Sequence, residues 1–253
     1  TKQNCNTSQQ TFVHLIIVMR LQTEKYLEAR KEWPSEGRHV LAHFDEDSVV
    51  VYQAFPQEIA HYAAKNNCFT GAPGYSDGRM SWVKTNYLWM MYRSGWSQKQ
   101  NQEHILAITL SREFFEEILR NSVLSHNIGD MTQNKRKKLF KEQVDKGFVV
   151  RLQWDPDHHP SGAKLPRRAI QLGLKAGAQL QNQPGILKID DITSWVRENT
   201  WRGSPEDLIV PRERVYPVPE DIASIIASSD YIPRQTVSEH TKHELESPEV
   251  VYQ

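Results

Sequence analysis

Stretches of β-branched and aromatic residues recur along the chain and predict the strands of a sheet. Residues Ser48–Phe55, 104–110 and 148–154 are apolar almost throughout, which is typical of strands covered on both faces. Two stretches between them, 56–64 and 132–146, carry the start and stop signals of helices. This alternation predicts an α/β fold, with mixed α+β as the alternative, in which helices flank a mostly buried central sheet.

Weaker patterns complete the expected order of elements. Helices are predicted over 21–33, 81–93 and 166–177, and a loop over 155–162, which contains two prolines and two histidines. A strand end followed by a helix is expected over 189–199. The remaining predicted elements are two short edge strands and a short helix, at 208–211, 215–218 and 219–228.

Composition sets the expected domain boundaries. Residues 1–11 are polar and predict a flexible N-terminus, and 233–253, rich in Ser, Glu, His and Lys, predict a disordered tail. Residues 12–232 are predicted to form a single globular domain. Because 31 Lys and Arg residues balance 31 Asp and Glu residues, only local charge clusters can indicate a nucleic-acid partner. We expect no DNA partner.

The longest apolar run, residues 12–19, is too short to cross a membrane. It has eight residues and contains His14, whereas a spanning helix needs about 20 apolar residues. A signal peptide is the alternative, but charged residues follow the run where a small-residue cleavage site would be needed. The two cysteines, Cys5 and Cys68, predict free thiols in a reducing compartment. We therefore expect a cytoplasmic protein without a membrane partner.

The stretch 74–96 is the most unusual part of the chain. It holds three of the seven tryptophans and three of the nine tyrosines. The cations Arg79, Lys84 and Arg93 lie among these aromatic residues, and no acidic residue follows Asp77. A glycine-containing loop before a helix start leaves backbone N–H groups open to an anion. This stretch therefore predicts a binding or catalytic site for an anionic ligand.

Ordinary packing in the core explains the aromatic residues of the same stretch better than ligand contacts do. Trp82 and Tyr87 fall at helical spacing and fit a role in the core. Ser81 stands at the start of the helix predicted over 81–93, where a helix N-cap is as good an interpretation as a reactive hydroxyl. The cations are harder to explain by packing alone, and they favour a functional role.

Asp155 and His158 follow a predicted strand, where an acid/base pair or a surface turn is equally consistent with the pattern. Their spacing matches no metal site, and the sequence has no glycine-rich nucleotide loop, no HExxH motif and no GxSxG motif. We therefore expect no metal and no cofactor. The absence of these motifs disfavours P-loop hydrolysis, Rossmann redox chemistry and zinc proteolysis.

Basic residues are concentrated in two places. Residues 134–141 and the pair that follows the predicted loop give the expected RNA-binding set: Lys135, Arg136, Lys137, Lys138, Lys141, Arg167 and Arg168. Such patches attract a phosphate backbone without reading its sequence. Solvated helix faces are the alternative interpretation.

Five segments together carry a resemblance to a known family: GYSDGRMSWVKTNYLWMMYRSGW, VVVYQAF, HILAITLSREFF, VVRLQWDPDH and RRAIQLGLK. Over residues 40–218 the chain resembles a family catalogued only as a domain of unknown function, found in bacteria and abundant in fungi. Its fungal members resemble the arginine-containing cyclodipeptide synthases, which join aminoacyl groups from charged transfer RNAs into a cyclic dipeptide. The resemblance implies aminoacyl-tRNA as partner, and an aminoacyl ester needs neither ATP nor a metal for activation.

Residue chemistry alone, with nothing carried over from the family, gives the expected roles. The catalytic set comprises Ser81 as nucleophile or ester-positioning hydroxyl, with Lys84, Tyr75 and Tyr92. The substrate-binding set comprises Arg79, Asp77, Trp82, Arg93, Asp155 and His158, and the acids at 45–47 are a further candidate partner for an arginine guanidinium. Two alternative functions remain: an NAD-using enzyme of the ADP-ribosyltransferase type, and a non-catalytic RNA-binding module.

Overall fold

The computed structural model describes residues 21–76, 78–125, 132–176, 178, 180 and 184–230. Within these ranges the chain forms seven helices: α1 (Tyr26–Ala29), α2 (Gln57–Asn66), α3 (Tyr87–Ser94), α4 (Arg112–Arg120), α5 (Gln133–Lys146), α6 (Thr193–Glu198) and α7 (Glu220–Ile226). The strands are β1 (Thr23–Lys25), β2 (Leu41–Phe44), β3 (Ser48–Phe55), β4 (Ser81–Lys84), β5 (His104–Ser111), β6 (Ser122–Leu124), β7 (Phe148–His158), β8 (Lys164–Ala176), β9 (Ile186–Asp191), β10 (Ile209–Pro211) and β11 (Arg214–Val215).

Nine strands form one curled mixed sheet with the shape of a half-barrel, and β1 pairs with β10 in a separate ribbon. The predicted α/β single domain is confirmed. Strand β3 lies at the centre of the sheet. Along one edge it pairs with β5 through all of its residues from Ser48 to Phe55. Along the other edge it is shared, because β2 pairs with Val49 and Val50 and β4 pairs at Tyr52.

Alternation along β3 divides the core into two layers. Val49 and Val51 face one side of the sheet, where they pack with apolar residues of α2, α4 and α7. Val50 and Tyr52 face the other side, where α1, α3 and α6 cover them. A period of two in the sequence thus provides apolar residues to both faces. Both faces of β3 are buried, as the continuous apolar run predicts.

Most of the strongly patterned elements are confirmed. The predicted strands correspond to β3, β5 and β7, and the predicted helices at 56–64 and 132–146 correspond to α2 and α5. Helix α5 ends as expected at Gly147, whose φ of 68° is the left-handed conformation that favours glycine. The elements expected over 189–199, 208–211, 215–218 and 219–228 are also present, as β9 with α6, β10, β11 and α7.

Four predictions of local structure are wrong or too long, and the reason is strand pairing. Ser81–Lys84 form a strand against β8, so the helix predicted over 81–93 begins only at Tyr87. Residues 164–176 form β8 and not a helix, because β7 pairs along most of their length. The predicted loop at 155–162 is shortened since β7 continues to His158, past a register irregularity beside Pro156. The helix predicted over 21–33 is reduced to α1.

Other expectations concern the ends and the cysteines. Cys68 is disulfide-bonded, so the prediction of a free thiol there is wrong, and it no longer supports a reducing compartment. Within the described residues, no helix is both long and apolar enough to cross a membrane. The predictions for 1–11, 12–19 and 233–253 lie outside the described residues.

Candidate active site

A cavity of about 640 Å³ opens where the central sheet divides. Tyr52 and Lys84 are the single pair of partners between β3 and β4 among the described residues. Beyond this pair the two strands separate, and the cavity lies between Gln53–Phe55 on one side and Ser81–Lys84 on the other. Neighbouring residues of a strand face opposite sides of the sheet, so a cavity in this gap can be lined from both layers.

The wall is built from further elements and loops around the gap. Its lining residues comprise Gln53, Ala54, Phe55, Pro56, Ile59, Gly74, Tyr75, Ser76, Arg79, Met80, Ser81, Trp82, Lys84, Met90, Arg93, Gln100, Asn101, Gln102 and Gln171. Six of the sequence-predicted site residues therefore share one cavity: Tyr75, Arg79, Ser81, Trp82, Lys84 and Arg93. Asp77 lies outside the described residues.

Lys84 is the most perturbed cation of the cavity. It is only 5% exposed, and its Nζ donates a hydrogen bond of 3.1 Å to the Trp82 carbonyl. Burial lowers the pKa of Lys84 to about 8, and the positive charge of Arg93 adds to the effect, whereas Asp155 opposes it. The side chain folds back along β4 toward the peptide bond between Trp82 and Val83. A lysine of this pKa can release and accept a proton near neutral pH.

Ser81 is paired with Tyr75. The two hydroxyl oxygens are 3.3 Å apart, and either can donate the hydrogen bond between them. Ser81 is not the helix N-cap, since it lies in β4 and the side chain of Asn86 caps α3 by accepting from the backbone N–H of Trp89. Tyr75 is fixed by stacking on Phe69, with ring centroids 5.2 Å apart. The arrangement holds a serine hydroxyl at the cavity wall with a phenol beside it.

The charge of the lining is positive. The cations are Arg79, Lys84 and Arg93, and the described residues of the lining include no carboxylate. Amide side chains supply most of the remaining polar groups. Among them the Oε1 atom of Gln53 is buried and has no hydrogen-bond partner within the described structure. The cavity therefore offers cations for an anion and at least one unused acceptor for an N–H group.

An indole forms part of the wall because the facing strand has a glycine. Trp82 pairs with Gly173 across β4 and β8. A Cβ atom at Gly173 would lie 2.6 Å from the Sδ of Met80 and 2.9 Å from the Trp82 ring. The missing side chain thus lets Trp82 and Met80 lie on the sheet, where the indole is available for stacking with a flat ligand group.

Asp155 lies near the cavity but not on its surface. The Nε2 of Gln171, a lining residue, donates to the Asp155 Oδ2 at 2.6 Å and to the Gln153 Oε1 at 2.6 Å. Asp155 acts on Lys84 through its charge. It therefore lies behind Gln171, and its negative charge favours the protonated form of Lys84.

Tyr92 and His158 are not among the residues that line the cavity. Their rings stack with centroids 3.6 Å apart, and Trp89 stacks on His158 at 5.2 Å. Both ring nitrogens of His158 are buried without a hydrogen-bond partner in the described structure, and burial lowers the pKa of this imidazole. The structure therefore does not place the predicted Tyr92 relay or His158 contact at the cavity.

Only some residues of the predicted RNA-binding set are exposed in the structure. Lys135, Lys137, Lys138 and Lys141 are exposed on α5, and Arg168 is exposed on β8. Arg136 instead points inward, where its guanidinium donates to the Ser125 carbonyl at 2.5 Å. It is therefore a structural residue rather than part of a free basic surface.

Arg167 is the clearest correction to the predicted RNA-binding set. Its guanidinium forms an ion pair of 2.5 Å with Asp157, and both side chains are almost fully buried. It also donates to the Pro34 carbonyl and lies over the Trp33 ring. Neither RNA binding nor a solvated helix end describes this residue, because its charge is satisfied inside the protein.

The acids at 45–47 do not reach the cavity. Asp45 accepts hydrogen bonds from the backbone of Asp47 and from Ser48, which fixes the turn between β2 and β3. This turn lies at the start of β3, whereas the cavity lies at the end of that strand. The structure thus makes this segment a polar turn between two strands, and the predicted guanidinium-binding role here is not supported.

Two amides of the cavity and one buried acid behind α3 stand in no distinctive sequence pattern. Gln53 and Gln171 are ordinary amides within predicted regular elements, and only the fold brings them to one cavity. Glu213 is fully buried behind α3, accepting from the Tyr87 N–H at 2.6 Å and from the Asn86 amide at 3.1 Å. Burial raises the pKa of Glu213 well above its ordinary value. The charged residues beside Glu213 in the sequence gave no indication of that burial.

Comparison with known proteins places the sequence in a family. A model of a domain of unknown function, DUF4291, matches residues 39–216. That range includes every described residue of the cavity lining. No curated protein matches the sequence. Since the match extends over more than half of the chain, the chain belongs to the DUF4291 family.

Proposed function

We propose that this protein is an aminoacyl-tRNA-dependent cyclodipeptide synthase that forms an arginine-containing cyclic dipeptide. The observation that carries the proposal is Lys84, a buried amine whose pKa is lowered to about 8 within a cationic cavity. The same cavity presents a Ser81–Tyr75 hydroxyl pair. An amine that attacks an ester needs a proton acceptor and a positioned acyl group, and these residues supply both.

The first step loads an aminoacyl group onto Ser81. The Ser81 oxygen attacks the ester carbonyl, a bond from this oxygen to the acyl carbon forms, and the bond to the ribose oxygen breaks. The Ser81 proton passes to Tyr75 while the Tyr75 proton passes to the ribose oxygen, so the leaving transfer RNA departs neutral at that position. The 3.3 Å separation of the two hydroxyl oxygens suits this exchange.

The second step joins the two amino acids. The α-amine of a second aminoacyl-tRNA attacks the seryl ester and gives one proton to neutral Lys84, so the amide C–N bond forms as the bond from the acyl carbon to the Ser81 oxygen breaks. The Lys84 ammonium returns that proton to the Ser81 oxygen, which restores the hydroxyl and the neutral amine. The free amine of the dipeptidyl-tRNA then attacks its own ester carbonyl, the ring amide forms and the bond to the ribose oxygen breaks. The proton lost by the amine passes through Lys84 to that oxygen, and the second transfer RNA leaves with a neutral hydroxyl. With a pKa of about 8, roughly a quarter of Lys84 is neutral at pH 7.5.

Recognition of the acceptor end uses the charge of the cavity. Arg79 and Arg93 are exposed cations of the lining, and phosphates of the RNA end are their partners. The Trp82 ring provides a surface for the terminal base. For the arginine side chain, the unpartnered Oε1 of Gln53 in the described structure is an acceptor for guanidinium N–H groups.

The decisive experiment is product formation. The purified chain is incubated with charged transfer RNAs, and cyclic dipeptides that contain arginine are sought by mass spectrometry. Ser81→Ala, Lys84→Met and Tyr75→Phe are expected to lose most of the activity. Ser224→Ala and Tyr62→Phe, which remove hydroxyls outside the cavity lining, are the matched controls and should retain it. Normal turnover in both Ser81→Ala and Lys84→Met would refute the assignment of roles.

RNA binding is tested separately on α5. Replacing Lys137, Lys138 and Lys141 with Glu is expected to weaken transfer-RNA binding. The slope of log affinity against log salt should fall by about 0.7–0.9 for each RNA phosphate that the protein no longer neutralises. Arg136 is left unchanged because it holds the Ser125 carbonyl. Binding without product, with the charged transfer RNA left intact, would favour a non-catalytic RNA-binding module instead.

A further inference from the structure

Three potential metal ligands meet outside the cavity. His61 on α2, His104 at the start of β5 and Asp191 at the end of β9 bring one ligand atom each to within 4.8 Å of one another. The His104 Nδ1 is 3.1 Å and the His61 Nε2 is 3.8 Å from the same Asp191 oxygen, Oδ2. The two imidazole rings meet edge to face with centroids 4.8 Å apart. None of the three lines the cavity described above.

The second oxygen of Asp191 is already used. Oδ1 accepts from the Thr193 backbone N–H at 2.9 Å and from the Thr193 hydroxyl. This leaves Oδ2 directed toward the two imidazoles. A carboxylate that is oriented by hydrogen bonds through one oxygen and presents the other is the usual arrangement around bound metals. Thr193 in turn is fixed because its hydroxyl accepts from the Ile105 N–H.

The spacing suits a small divalent ion. Bonds of about 2.0–2.1 Å in a tetrahedral site place ligand atoms about 3.4 Å apart, and the two distances to Oδ2 bracket this value. His104 and Asp191 lie on β5 and β9, which pair with each other, and this pairing fixes two ligands. His61 is exposed on α2, so it can adjust by a change of rotamer.

We propose that His61, His104 and Asp191 form a binding site for one divalent transition-metal ion of the zinc type. Two imidazole nitrogens and one carboxylate oxygen are a donor set that suits Zn²⁺, Co²⁺ or Ni²⁺ rather than Mg²⁺ or Ca²⁺. Three protein ligands leave one position for water. The ion would tie α2 to the edge of the sheet formed by β5 and β9.

A matched control exists within the chain. His39 forms the same kind of pair with Asp230, with the Nδ1 to Oδ1 distance at 2.7 Å, and no second imidazole belongs to that pair among the described residues. Full-length protein without a histidine tag is treated with a chelator and titrated with ZnCl₂ by calorimetry, and with CoCl₂ by visible absorption. We expect one high-affinity Zn²⁺ per chain in the wild type and in His39→Ala.

His104→Ala and His61→Ala are expected to weaken Zn²⁺ binding by about tenfold or more and to remove the visible bands of bound Co²⁺. His61 is exposed, so its variant should fold even if His104→Ala does not, and far-ultraviolet circular dichroism checks both. Zn²⁺ should also raise the Tm of wild type and His39→Ala but not of His61→Ala. Equal Zn²⁺ affinity in wild type and His61→Ala, or no binding to the wild type, would overturn the proposal.

Discussion

Replacing Lys84 with Met should stabilise the protein at neutral pH while it abolishes turnover. The pKa of Lys84 falls from 10.5 to about 8 because its charged form is buried. This difference costs about 3 kcal/mol, since each tenfold change in a protonation equilibrium corresponds to about 1.4 kcal/mol. Met matches the length of the side chain without the charge. It loses the hydrogen bond to Trp82, worth about 1 kcal/mol, so the net gain is about 2 kcal/mol at pH 7.

The size of the effect changes with pH. The folded pKa lies below that of the unfolded chain, so between about 8 and 10.5 the unfolded state binds more protons and the wild type becomes more stable as pH rises. The advantage of Lys84→Met should therefore be complete below pH 8 and disappear by about pH 10.5. Urea unfolding of both proteins at pH 7, 9 and 10 measures this directly.

Lys65→Met, at an exposed position of α2, is the control and should show no such dependence on pH. In the product assay the wild type should increase in rate by up to about tenfold from pH 7 to 9 as the neutral fraction of Lys84 rises. A Lys84→Met protein that is less stable than wild type at pH 7, with a constant difference up to pH 10, would refute the burial argument. The amine would then be charged and well satisfied.

Three further changes test other parts of the structure. Because burial raises the pKa of Glu213, the folded protein should lose stability as pH rises above 4.5. Urea unfolding between pH 5 and 8 should show this loss in the wild type but not in Glu213→Gln, and identical pH profiles would contradict it. Asp157→Ala should cost about 3–5 kcal/mol by leaving the Arg167 charge buried and unpaired, and a loss below about 1 kcal/mol by thermal unfolding would argue against that. Gly173→Ala should displace Trp82 and change its fluorescence and the affinity for RNA ends, whereas an unchanged spectrum would show that the wall is looser than described.

Local patterns in the sequence were enough to predict the strands β3, β5 and β7 and the segment that supplies much of the cavity wall. The run in β3 is rich in β-branched residues and apolar along both faces, which is typical of a strand buried on both sides. The cations of 79–93 also stood out without knowledge of the fold, since charges seldom accompany so many aromatic residues. Six of the site residues predicted from this pattern line one cavity.

Long-range pairing could not be predicted in the same way. Ser81–Lys84 is only four residues long, and its strand character depends on β8, which lies about ninety residues later. Arg167 resembled a surface cation because the sequence does not show that Asp157, across the hairpin, is buried with it. The amides Gln53 and Gln171 carry no distinctive pattern at all. Interactions that arise from tertiary structure were therefore the ones missed.

The division of one edge of β3 between two strands has a consequence for selectivity. Beyond Tyr52, the described structure leaves the facing edges of β3 and β4 without a strand partner. Exposed main-chain N–H and C=O groups recognise the amide backbone that all amino acids share. A growing dipeptide held in this way would be aligned by its backbone, and its side chains would extend from the binding edge. Such a binding mode would tolerate variety in one of the two amino acids that the proposed reaction joins.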